Sequence, residues 1–287
     1  MTSPATARRL WALGEPLHAL AYFAAEVVAA GDAAGLRGFW SGYFAMRAAP
    51  LGPVGPEVVT ATFVGFAPSF VRRWVPGVWD AVSPAEALTA RLAGIDAAVR
   101  RVLGEEWPDS AEAAEAAALA GTAAAAVDVP GRPLAAANAG LPVPDRAHLA
   151  LWQALTTLRE HRGDGHTVAL VQRGISGLQA NVLAVAAGRT DRAWLLRARG
   201  WSEPEWDDAV AALSDRGWLD GDGLTAEGLS AVTAVEADTD RLALGPWQAL
   251  GDVGCDRLAA LLVPVRRAVV AAGDWPTGNP IGAPDPS

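Results

Sequence analysis

Every basic residue in this chain of 287 is arginine, and its polar chemistry otherwise rests on four histidines, two tyrosines and the acids. The densest polar group is Arg159-Glu160-His161-Arg162-Gly163-Asp164-Gly165-His166. It puts two His, two Arg and two acids into eight residues. Arginine forks onto carboxylates and phosphates, and histidine titrates near neutrality, so the group suits an anionic or planar ligand. The same residues also read as punctuation, with Gly163 ending one helix and Asp164 capping the next.

Two further groups lie near the N-terminus. His18, Tyr22 and Glu26 recur at i, i+4 and i+8 on one predicted helical face. His18 and Glu26 are then about 12 Å apart along the axis, too far to share a metal, and a hydrogen-bonded core histidine is the plainer reading of His18. Tyr43 and Arg47 precede the turn Pro50-Leu51-Gly52. Arg47 either caps the carbonyls of its own helix or anchors a ligand carboxylate or phosphate. The candidate ligand-binding set is therefore His18, Tyr22, Tyr43, Arg47, His161, Arg162, Asp164 and His166.

Several chemistries are excluded or left without support. With no lysine there is no Schiff-base amine and no phosphate-loop lysine. The single cysteine, Cys255, rules out an internal disulfide and a multi-cysteine metal site, and its apolar surroundings predict a plain buried thiol. His18, His161 and His166 lack the spacing of a helical metal pair, so no metal is assigned and the cofactor, haem included, stays open. No nucleophile elbow or dinucleotide fingerprint is present.

The elements that must position these residues read as helices, because Ala and Leu dominate and apolar residues recur at helical spacing. Helices are predicted from Glu15 to about Ala30, Leu36 to Ala48 and Glu57 to Phe66. Another runs from the capping box at Ser83-Pro84-Ala85-Glu86 to Val102, and one covers residues 109–127. The proline-rich stretch Val129–Pro144 is the candidate linker, or else a tightly packed crossover. It divides an N-terminal helical domain, 1–140, from a second domain, 141–287.

In the second domain a helix over Asp145–His161 is followed by Ser176–Ala187 and by Asp191–Arg199, capped by Thr190. Ser202-Glu203-Pro204-Glu205 opens the next, which ends at Gly217. Asp220-Gly221-Asp222-Gly223 suits a tight hairpin, and Thr225 caps the helix beyond it. Helix, turn, helix, hairpin, helix is the order of a winged helix-turn-helix module. Trp194, Trp201, Trp206 and Trp218 would fill its core. The fold class expected is mainly α, an N-terminal helical layer plus this module.

Charge bears on what the module can do. The formal net charge is -9, and no large block of the chain is net positive. The helix expected to read DNA, Glu203–Arg216, carries Glu203, Glu205, Asp207, Asp208 and Asp215 against one arginine. Carboxylates on that face oppose the electrostatic attraction that dominates DNA affinity, so classical DNA binding is not expected. No uninterrupted apolar run suits a signal peptide or a membrane span, and a cytoplasmic location is expected.

The segment from Arg199 to Gly228 resembles the corresponding part of MarR-type regulators. The combination PLHALAYFAAE, FWSGYFAMRAAPLGPV, LREHRGDGH and this Trp-rich segment resembles the SalK-type helix-turn-helix family of actinobacteria, over roughly residues 10–270. The resemblance implies architecture rather than a reaction. Ala67 stands in GFAP where that family is expected often to carry a histidine. The leading expectation is a small-molecule-binding, regulator-like protein whose ligand sits between the helical layer and the winged module. The alternatives are an enzyme using His161, Asp164 or His166 as acid or base, and a MarR-type DNA-binding regulator. A homodimer through terminal helices such as Asp256–Ala272 is a further expectation.

Overall fold

Helix-forming composition and local caps account for most of the architecture. The computed structural model of the chain describes residues 2–276, and among these it holds fifteen α-helices and one two-stranded hairpin. The first half comprises α1 (Pro4–Phe23), α2 (Ala25–Ala33), α3 (Phe39–Ala48), α4 (Pro56–Thr62), α5 (Pro68–Val71) and α6 (Val78–Ala81). It continues with α7 (Pro84–Leu103), α8 (Ala111–Ala124) and α9 (Pro133–Ala139). Then come α10 (Ala147–Gln172), α11 (Gly177–Ala186), α12 (Arg192–Arg199), α13 (Glu203–Asp215), β1 (Leu219–Asp220), β2 (Gly223–Leu224), α14 (Ala226–Leu242) and α15 (Gly245–Ala271).

The polar caps do what their residue types dictate. Ser83 and Ser202 each accept from the backbone three residues on while Glu86 and Glu205 reach back, and Thr225 caps α14. β1 and β2 pair antiparallel across Asp220-Gly221-Asp222-Gly223, with Leu219 opposite Leu224. At α12 the cap is Asp191, whose carboxylate accepts from Trp194 N, and not Thr190.

Elsewhere tertiary packing overrides the local reading. No single helix spans residues 15–30: Ala24 is extended and separates α1 from α2. The break lets α2 lie against α7 at Gly94, where an added Cβ would come within 2.6 Å of Val27 Cα. Glu26 therefore leaves the face of His18 and Tyr22 and pairs with Arg101. Leu36 lies before α3, between the positive-φ residues Gly35 and Gly38. Residues 63–67 are not helical and lead from α4 into α5.

The largest departure is α10. It runs unbroken through Gly163, Asp164 and Gly165, so Gly163 ends no helix and Asp164 caps none after it; its carboxylate instead accepts from Ala135 N in the first turn of α9. Burial explains it: α10 packs against α8, α9, α14 and α1, and most of its residues are inaccessible. The proline-rich stretch is a packed crossover that contains α9, with Leu134 and Ala135 buried.

Buried side chains fall into two main clusters. One draws on residues 7–158 and again on 243–269, the other on residues 169–235. The first half of α10 belongs to the larger cluster and its end to the smaller, so burial does not divide at residue 140. Residues 256–272 lie largely in α15, where Leu258, Leu262, Val265 and Val269 join the larger core. No helix among the described residues is long and apolar enough to cross a membrane.

Candidate functional site

Helical periodicity sorts the polar run of α10 onto two faces. Arg159, Arg162, Gly163 and His166 are spaced i, i+3, i+4 and i+7 and share one face, while His161 and Asp164 point another way. The first face, with Glu160, lines a cavity of about 380 Å³, the size of a pocket for one metabolite. The cavity lies between the helical layer and the winged module. Tyr22, Trp40, Tyr43, Arg47, Phe63 and Phe66 come from the layer, and Asn181, Arg189, Trp194, Arg199, Glu236 and Thr239 from the module side.

Its walls are mainly apolar and its charge is organised. Glu160, 2% exposed, takes hydrogen bonds from Arg47 Nε at 3.2 Å and Arg159 Nη1 at 2.9 Å. Burial would raise this carboxyl, but Arg47 and Arg159 outweigh it and hold it at about 2. Behind them, Glu15 accepts from Trp11 Nε1 at 2.7 Å and Arg159 Nε at 3.3 Å. Burial raises the Glu15 carboxyl in spite of Arg159. A second cluster joins Arg162 to Asp240 at 2.7 Å, Asp240 to Arg8 at 2.7 Å, and Glu236 to Arg189 at 2.8 Å.

Arginines also rest on rings. The Arg47 guanidinium lies 4.1 Å from the Phe63 ring centre, and that of Arg199 lies 4.4 Å from Phe66. Arg47 donates to Tyr43 OH at 2.9 Å and so is not a carbonyl cap of its own helix. Burial lowers the Arg199 pKa, Tyr43 raises it, and the like charges of Arg47 and Arg159 lower it further. An anion set among these three arginines would relieve that repulsion.

Two histidines are fixed by the same device. Thr156 gives its hydroxyl proton to Trp152 O at 2.8 Å, so it can only accept from His18 Nδ1 at 3.0 Å. His18 Nε2 then accepts from Tyr22 OH at 3.0 Å. Likewise Thr239 donates to Val235 O at 2.7 Å and accepts from His166 Nδ1 at 3.0 Å. Burial lowers both imidazole pKa values and keeps them neutral, His18 strongly so. The two sites differ at Nε2: that of His18 is satisfied, whereas no hydrogen-bond partner of His166 Nε2 is found among the described residues.

Of the residues singled out in the sequence, Tyr22, Tyr43, Arg47, Arg162 and His166 meet on the cavity wall. His18 stands behind Tyr22, off that wall. His161 and Asp164 do not reach it: His161 Nε2 bonds Asp128 at 2.6 Å, and Asp164 accepts from Ala135 N at 2.9 Å. Burial pushes the Asp164 carboxyl up to about 6. His18, His161 and His166 thus turn to three different partners. Among the described residues no three His, Cys, Asp or Glu side chains are gathered to hold a metal ion. Cys255 is buried and bonds Trp247 O, and burial raises its thiol pKa.

Sequence reasoning passed over Arg189 and Arg199, and it left Arg159 and Glu160 out of the candidate set. The last two were recoverable from the i, i+3, i+4, i+7 pattern once α10 is continuous. Nothing local marks Arg189 or Arg199. Trp206 fills the module core with Trp201 and Trp218 packed against it, whereas Trp194 lies on the cavity wall.

The module itself has the order α11, α12, α13, hairpin, α14, with α11 packed on α13 and α12. A family model described as a helix-turn-helix family matches residues 7–276. The chain belongs to this helix-turn-helix family. Comparisons with curated proteins and with solved structures gave no match. In this member of the family, Glu203, Asp207, Asp208 and Asp215 on α13 and Asp220 and Asp222 in the hairpin are exposed. Neighbouring arginines are engaged: Arg192 pairs with Glu203 and Asp207, and Arg216 lies over Trp218 while bonding Arg173 O and Gly174 O.

Proposed function

We propose that the protein binds a metabolite-sized organic anion in the cavity between the helical layer and the winged module, as a regulator-like sensor. The observation that carries this reading is the charge of the wall. Among the described residues, Arg47, Arg159, Arg162, Arg189 and Arg199 face it with Glu160 and Glu236 as the acids, inside a protein of net charge -9. With Arg8, Glu15 and Asp240 counted behind them, arginines still outnumber acids. Burying that excess is costly unless an anion completes it. The finer likeness to the SalK-type group of actinobacteria is consistent with this architecture and names no reaction.

Thermal melting against a panel of organic carboxylates and phosphates tests the reading. A ligand at a hundred times its Kd stabilises by about 2.7 kcal/mol, which raises Tm by several degrees for a chain of this size. The shift is expected in the wild type and lost in Arg199→Met and in the paired variant Arg47→Met/Glu160→Met, which removes Arg47 together with the acid it pairs with and leaves Arg159 on Glu15. No shift with any anion, or a shift that survives both variants, overturns it.

Acid–base chemistry in the same cavity is a second reading, favoured by the Nε2 lone pair of His166. It predicts turnover of the bound ligand that His166→Phe abolishes, detectable as new product by mass spectrometry. Gripping a DNA groove with α13 finds no support in its exposed carboxylates.

A further inference from the structure

Gly163 is out of place by every local rule. It sits mid-helix in α10, where glycine costs roughly 0.5–1 kcal/mol relative to alanine. Packing does not require it: an added Cβ would lie 3.6 Å from Glu160 Oε2 and 3.7 Å from Arg159 Nη1, ordinary contact. Gly165, two residues on, differs, since a Cβ there would meet Arg132 Nη1 at 3.0 Å and Leu242 Cβ at 3.2 Å. What Gly163 does is face the cavity, between Arg159 on one side and His166 on the other. Its missing side chain leaves a flat strip of helix surface between an anion-binding end and a hydrogen-bond acceptor.

The two ends have different chemistry. At one, Arg47 and Arg159 converge on Glu160, with Arg199 held over Phe66. At the other, Thr239 fixes His166 so that Nε2 presents a lone pair. Glu160 and Arg159 precede His166 by six and seven residues, which is about 9–10.5 Å along a helix. Rings of Trp40, Phe63, Phe66 and Trp194 contribute to the walls between the layers.

We propose that the ligand is an extended hydroxyaryl carboxylate that lies over Gly163. Its acid group meets the Arg47, Arg159 and Arg199 end and its hydroxyl donates to His166 Nε2. This rests on the anion-binding reading and adds to it the class and orientation of the ligand. The carboxylate takes the place an anion would occupy among the three arginines, the aryl ring packs on the aromatic wall, and the hydroxyl satisfies the one acceptor that Thr239 orients.

Three matched probes test it by titration calorimetry: 4-hydroxycinnamate, 4-methoxycinnamate and cinnamate. The wild type is expected to bind the hydroxy acid at least tenfold more tightly than the other two. That ratio should fall towards one in His166→Phe. Gly163→Ala is expected to raise Tm yet weaken all three probes by tenfold or more, an outcome a merely structural glycine would not give. Equal binding of the three by the wild type, discrimination retained in His166→Phe, undiminished binding in Gly163→Ala, or no binding of any probe overturns the proposal. If other anions of the melting panel still stabilise the wild type and not Arg199→Met, the anion-binding reading stands while this assignment falls.

Discussion

Glu160 governs the charge balance of the cavity, because it is the one acid that both Arg47 and Arg159 share. Its shift from 4.5 to about 2 corresponds to about 3 kcal/mol of stabilisation. Since the folded value is depressed, that contribution is present above pH 4.5 and is lost as pH falls towards 2. Glu160→Gln should therefore cost about 3 kcal/mol at pH 7 by urea unfolding, and the gap to the wild type should narrow between pH 4.5 and 2. A gap that is absent, or constant across that window, would contradict the assignment. Single residues were legible in the sequence where one helix face decides them, as with Tyr43 and Arg47, spaced i, i+4. His161 and Asp164 were not, because adjacency in sequence says nothing about which side of a helix a residue faces until the helix itself is known.

Elements were legible wherever a local cap or turn sets them, as at Ser83, Ser202, Thr225 and the Asp-Gly hairpin. They were not where burial prevails, as in α10 across two glycines or at the break after Phe23. The contact between layer and module belongs to this second kind. Asn181 Nδ2 and Trp201 Nε1 both donate to Gly65 O at 2.9 Å, and Ala67 N donates to Arg199 O at 2.9 Å. These bonds fasten the non-helical segment 64–67 to the helix-turn-helix module and form one wall of the cavity. At the start of α11, an added Cβ on Gly177 would fall 1.7 Å from Val64 O. Gly177→Ala must push the segment away, and is expected to cost about 1–3 kcal/mol or more. A lowered urea midpoint together with loss of anion-induced stabilisation is the expected result. An unchanged midpoint would show that the two layers do not meet there. In the sequence Gly177 looks like any residue after a serine cap, since the carbonyl that crowds it lies more than a hundred positions away.

Across the whole molecule, arginines gather in the interior cavity while the face that would approach a polyanion carries α13 and the hairpin aspartates. Ligand binding between two layers that share a wall should tighten both at once. The same event should leave the exposed acidic face of the module untouched. Amide hydrogen exchange followed by mass spectrometry, with and without the most stabilising anion of the panel, tests this most directly. Slowed exchange is expected together in residues 40–47, 62–67, 159–170, 189–199 and 232–239, with no change in 203–224. Protection confined to 203–224, or to one layer alone, would contradict the account.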